Sequence, residues 1–286
     1  MPRSFFLALP LSLALAASSL GCTATVGPEG TATATPEATA ARAPVAQSVH
    51  GPLKVVADAL GDVPLTAAQR ATVEKMATDT ETRHAAARAA HKDLMLAVAG
   101  QVQAGAIDRT ALAPKLAAIV SAMQAAQPAD RAAFEQLHAL LSPDQRVAFV
   151  DAMEARAGER KGAMHDKHPL QQWAADLQLT DDQKTQIHAA MKQRWQAAGH
   201  DGPGGPMAEH HQQGKQMLAA FTKDRFVMDE VSPPKDVAAH AQHMADHMLG
   251  LAEVALPILT PQQRALAAQK LRDRADSVDA ELPGVE

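Results

Sequence analysis

Along most of this chain apolar residues recur at spacings of three and four, the period of a helix with one covered face, and almost nowhere do they alternate as a strand requires. From Thr66 a helical pattern runs with few breaks to Ala99, marked by Val73, Met76, Leu94 and Val98, and Gly100 and Gly105 are its expected stops. About 34 residues at 1.5 Å each span roughly 50 Å, more than a compact unit of this size is wide, so an elongated helical hairpin is predicted. A second helix opens at Asp108, a suitable cap, and carries Leu112, Leu116, Ile119, Val120 and Met123; Pro128 is expected to kink or interrupt it before Phe134, Leu137, Leu140 and Leu141. The helix after Ser142 presents Val147, Phe149, Val150 and Met153 and is expected to end near Gly158. Farther on, Ile187, Met191 and Trp195 fall at i, i+4 and i+8, which predicts a buried stripe. Residues 199–206, with four glycines and two prolines, form a loop; a helix follows over 207–221, and a long one opens after Pro233 and Pro234. The fold class is all-α.

Four of these helices begin with the same five-residue pattern: Leu65-Thr66-Ala-Ala-Gln69, Leu141-Ser142-Pro-Asp-Gln145, Leu179-Thr180-Asp-Asp-Gln183 and Leu259-Thr260-Pro-Gln-Gln263. Each is a capping box. The hydroxyl accepts from a first-turn amide, the glutamine three residues later reaches back to the amide of the cap, and the leucine staples onto the first turn. Pro143 and Pro261 stand where a helix tolerates proline best. The boxes lie 76 and 80 residues apart within pairs and 114 and 118 apart between pairs. That spacing divides the chain into two tandem helical units, 53–165 and 166–286, the last residues of the second being disordered.

Paired Leu-Thr-x-x-Gln boxes about 80 residues apart in a small helical exported chain resemble the LTXXQ family, the Spy/CpxP-like periplasmic proteins. The strongest likeness is in residues 176–195, DLQLTDDQKTQIHAAMKQRW, and 256–275, LPILTPQQRALAAQKLRDRA. Familiar members carry one unit and dimerise, whereas this chain carries two. The resemblance implies long helical hairpins arranged as an intramolecular pseudo-dimeric cradle, whose concave side holds unfolding clients without ATP. It also implies a role in envelope stress, with unfolded or misfolded envelope proteins as partners and a sensor kinase as a further one.

The amino terminus agrees with export. Arg3 precedes an apolar run from Phe5 to Ala17, too short for a membrane span and fitting a signal peptide over 1–22. Cys22 is the sole cysteine and follows Ser19-Leu20-Gly21, which makes it a candidate lipidation site; ordinary cleavage nearby with a free thiol is the other reading. Contact with a membrane would then run only through the lipid anchor of a periplasmic lipoprotein. Residues 23–52 are rich in Ala, Thr and Pro with few large apolar side chains, and are expected to form a disordered tether.

Composition narrows the chemistry. A formal charge of −5 disfavours a nucleic-acid partner, and the acidity sits in the second unit, with 12 basic and 17 acidic residues against 13 and 13 in the first. Neither a glycine-rich phosphate loop after a strand, nor Gly-x-Ser-x-Gly, nor His-Glu-x-x-His occurs, so an enzyme is not expected and no cofactor is required. Methionines such as Met76, Met95, Met123, Met191, Met217 and Met244 suit either a core or adaptable client contacts. His84 and His91, two turns apart, read as surface or groove residues.

One cluster suggests other chemistry. His240, His243 and His247 lie within about 60° on one helix, and the i, i+4 spacing of His243 and His247 lets two imidazoles reach one Zn, Cu or Ni ion, with Met244 beside them. Asp246, the carboxylate within this run, lies off the histidine face. The alternative function is therefore a periplasmic metal-binding or metal-sensing protein.

Overall fold

A computed structural model describes residues 45, 46, 49, 51–166, 169–197, 206–234 and 236–277. Ten helices and no strand occur among them: α1 (Gly51–Gly61), α2 (Ala67–Ala104), α3 (Arg109–Leu140), α4 (Pro143–Asp166), α5 (Pro169–Asp176), α6 (Asp181–Ala197), α7 (Pro206–Phe221), α8 (Met228–Val231), α9 (Val237–Ala255) and α10 (Pro261–Asp276). None of these helices is long and apolar enough to cross a membrane. The signal peptide and Cys22 lie outside the described residues.

Local chemistry sets most helix starts. Asp108 accepts from the amide of Ala111 at 3.1 Å to open α3, and Asp236 accepts from that of Ala239 at 3.0 Å to open α9. Packing overrides the stops. α2 runs through Gly100 for 38 residues, about 57 Å at 1.5 Å per residue, and ends only at Gly105, whose φ of 87° is the left-handed conformation of a helix terminus. α3 continues unbroken through Pro128, because the lost hydrogen bond is flanked by the buried Ala126, Asp130, Ala133 and Phe134. α4 likewise passes Gly158 to reach Asp166.

α2 and α3 form one antiparallel pair, with α10 laid along α2 and α9 along α3. α4 packs on α1 and α7, α8 sits on α3, and α6 on α9. Two main apolar clusters result. The first joins Leu65, Phe134, Leu141 and Phe149 to Phe221, Phe226 and Met228 from the second half of the chain. The second joins Leu177, Leu259, Ala267 and Ala268 to Ala99 and Val102 from the first half. Alanines at this second contact let α10 approach α2 closely.

Two expectations need correction. Two described residues of the expected tether are packed: Val45 and Val49 are each 1% exposed, Val45 joining the first cluster and Val49 packing with Leu53, Ala57 and Ala77. Two valines thus supply the apolar area that the rest of that segment lacks. Ile187 and Met191 are only half-buried, since periodicity marks a face but not what covers it; the side chain of Trp195 lies outside the described residues.

Candidate functional site

All four boxes form, and they form in pairs. Thr66 and Gln69 exchange their bonds at 3.0 and 3.2 Å, and Ser142 and Gln145 at 2.9 and 3.3 Å. Thr180 with Gln183, and Thr260 with Gln263, do the same at 3.0 and 3.2 Å. Gln69 Nε2 then donates to Gln145 Oε1 at 2.8 Å, and Gln145 Nε2 returns a bond to Gln69 Oε1 at 2.9 Å. The second amide hydrogens go to carbonyls beside the partner box, Gln69 to Leu140 and Gln145 to Pro64, at 2.8 and 2.7 Å. Every donor and acceptor position of both amides is used. Gln183 and Gln263 repeat the arrangement. Leu65, Leu141 and Leu259 are buried beneath the boxes and Leu179 is half-buried. With no capacity left over, these glutamines clamp helix starts together and have nothing to offer a ligand.

Each pair abuts the other half of the chain. Arg146, next to Gln145, donates to the carbonyl of Lys223 at 2.6 Å, and His138 Nε2 donates to the same oxygen at 2.7 Å. The His138 ring lies among Phe221 and Phe226, with centroids 5.3 and 5.2 Å away. Arg264, next to Gln263, lies across Gly105, where an added Cβ would stand 3.2 Å from Arg264 Nε. A basic residue follows every box, at Arg70, Arg146, Lys184 and Arg264. That regularity was legible, but its target was not.

Between the halves runs a charged cluster. Arg109 donates to Glu253 at 2.5 and 3.1 Å and also to Asp246, and Arg194 stands 3.3 Å from Glu253. The bond from Arg109 is the main cause holding the Glu253 carboxyl below its ordinary range; burial opposes it, the charges of Arg109 and Arg194 add to it, and Asp246 opposes it. Arg109 is raised in turn, chiefly by its bond to Glu253. Farther along α3, Arg131 binds Asp229 at 2.9 Å and the carbonyl of Ser232 at 2.6 Å. Within the α2–α3 pair, Asp130 is 2% exposed and receives Arg83 Nε at 3.0 Å and His84 Nε2 at 2.9 Å. His84 thus faces α3 and not open solvent.

His240, His243 and His247 all lie on α9, His243 exposed and the other two half-buried. Among the described residues no three His, Cys, Asp or Glu side chains are grouped closely enough to hold a metal ion. The side chains of His165, His168, His210 and His211 lie outside the described set.

Apolar surface is the remaining feature with functional reach. Leu116, Ile119, Val120 and Met123 on α3 are only half-covered, as are Met244, Leu249, Leu251 and Val254 on α9, and Met248 is 59% exposed. Of the methionines, Met76 and Met95 belong to the core, whereas Met123, Met191, Met217 and Met244 are half-buried. No family model, no curated protein and no solved structure matches the chain.

Proposed function

We propose that this chain is an ATP-independent periplasmic holdase of the envelope-stress type, whose two halves act as an internal pseudo-dimer and offer clients a partly apolar helical surface. One observation carries the reading: the half-covered Leu, Ile, Val and Met residues of α3 and α9, two helices that pack on each other. Half-exposed apolar residues flanked by charge give weak, sequence-tolerant contacts to unfolded segments, and methionines adapt to varied shapes. The fully bonded glutamine boxes support the reading by removing the motif residues from direct chemistry and assigning them to architecture.

The test is light scattering by an aggregating client. Chain at less than one equivalent is expected to suppress it without nucleotide, and Leu116→Ser with Val120→Ser is expected to weaken suppression while leaving the helical circular dichroism unchanged. No suppression by the natural chain overturns the holdase. The spacing of His243 and His247 favours a second reading, metal binding on α9 by these two imidazoles. Tight uptake of zinc, copper or nickel, lost in His243→Ala, together with no client protection, would select it.

A further inference from the structure

The surfaces through which the two halves meet correspond in position but differ in sign and size. The second boxes of the halves stand 118 residues apart, and the same offset relates Glu135 on α3 to Glu253 on α9. Each of these glutamates receives the start of a helix from the opposite half. Glu135 accepts from the amide of Met228, the first residue of α8, at 2.7 Å, and Glu253 accepts from Arg109, the first residue of α3, at 2.5 Å. Toward the amino end of each helix the neighbouring charge is reversed. Beside Glu135 stands Arg131, which holds Asp229; before Glu253 stands Asp246, which holds Arg109. The first half therefore brings two arginines to this boundary and the second half brings two aspartates.

Size follows the same division. At the box end of the first half, Phe134, Phe149 and His138 enclose Phe221, with ring centroids 5.0, 5.2 and 5.3 Å away. At the box end of the second half, Ala267 and Ala268 share a cluster with Ala99 and Val102 in which no phenylalanine takes part, and Arg264 lies against the bare backbone of Gly105.

We propose that each half carries an interface specific for the other half and closed to a second copy of itself. Pairing two first halves would set Arg109 near Arg131, with Glu135 in the place of Glu253 and nothing in the place of Asp246, and leave the aromatic socket to be filled by Val102 and Ile107. Pairing two second halves would set Asp229 against Asp246 and Glu253 and drive Phe221 toward the alanine seam. Like charges brought together and mismatched volumes both select against the wrong partner. This conclusion is independent of whether the surface holds clients.

The experiment cuts the folded chain at a protease site substituted for Lys167 and His168, between α4 and α5, and examines the product by native mass spectrometry. The expected species is a complex of one first-half and one second-half fragment. Fragments pairing with their own kind overturn the proposal. Asp229→Arg, which sets like charges together at Arg131, is expected to raise the dissociation constant of the cut complex about fivefold or more, and adding Arg131→Asp is expected to restore part of it. A double variant no tighter than the single one overturns the charge part. Cross-linking of the uncut chain covers the case in which cutting unfolds it. Links between α3 and α9 are expected there, and links between α3 helices of two molecules overturn the proposal.

Discussion

Gln183 and Gln263, 80 positions apart in the chain, donate to one another's side-chain oxygens at 2.9 and 3.1 Å, and each also accepts from the amide of its own helix cap. One amide group therefore caps a helix start locally and joins it to a distant one. The glutamine is not replaceable by a residue that performs only the local task.

From this follows an asymmetric cost at the better buried pair. Gln69→Leu leaves the Thr66 amide, a Gln145 donor and the Leu140 carbonyl without partners, and a loss of roughly 2–4 kcal/mol is expected by urea unfolding. Gln69→Glu keeps the acceptor for Thr66 but faces a carboxylate toward Gln145 Oε1 and the Leu140 carbonyl, and is expected to be at least as damaging at neutral pH. Thr66→Ala removes only the cap, with an expected cost of about 1 kcal/mol. A leucine variant no worse than the alanine cap variant would show that the cross-pair bonds contribute nothing.

Phe221→Ala is expected to be the most damaging single truncation in the second half, at about 3–5 kcal/mol. Its ring is fully buried and lies 5.0–5.3 Å from the centroids of Phe134, Phe149, His138 and Phe226, so its loss opens a cavity between the halves. Unfolding followed by urea should show one lowered transition.

Asp130→Ala is expected to cost roughly 3 kcal/mol, because it removes the carboxylate that receives both Arg83 and His84 in a covered site. Asp130→Asn keeps the shape and one acceptor, and should recover part of that loss. Equal losses in the two variants would mean that charge, not volume, matters there.

What the sequence disclosed here divides along physical lines. Helix starts were readable, since Thr66, Asp108 and Thr260 bond amides within three residues and need no knowledge of the fold. The contacts of Gln69 with Gln145, of Arg146 with Lys223 and of Arg109 with Glu253 depend on the register of helices distant in sequence, which periodicity does not carry. Helix ends were misjudged at Gly100 and Pro128 because a local penalty of about 1–3 kcal/mol is small beside the burial along a helix as long as α2 or α3. The metal reading rests on spacing along α9 alone, and periodicity does not carry which side chains of neighbouring elements stand beside His243 and His247.

Gly105→Ala tests the turn at which α2 meets the other half. The φ of 87° strains any residue with a Cβ, and the added carbon would press on Arg264 at 3.2 and 3.3 Å. A cost of about 1–2 kcal/mol is expected. Gly100→Ala, in open space within the same helix, is expected to gain up to about 1 kcal/mol. Opposite signs for two glycines five residues apart would separate backbone conformation from helix propensity, and thermal melting of both variants measures this directly.

Acid should loosen the boundary between the halves. The Glu253 carboxyl is held below its ordinary range, chiefly by the bond from Arg109, so the folded chain binds this proton less readily than the unfolded chain does. The stability it contributes is complete above the ordinary carboxylate range and disappears as the pH falls through that range to the lowered value. Its side chain is 29% exposed, which limits the effect to about 1 kcal/mol. Glu253→Gln is expected to lose that contribution at pH 7 and to flatten the stability profile across and below the ordinary carboxylate range. Arg109→Met should flatten it similarly while leaving the carboxylate in place. If the profile of either variant stays as steep as that of the natural chain, the acid sensitivity arises elsewhere.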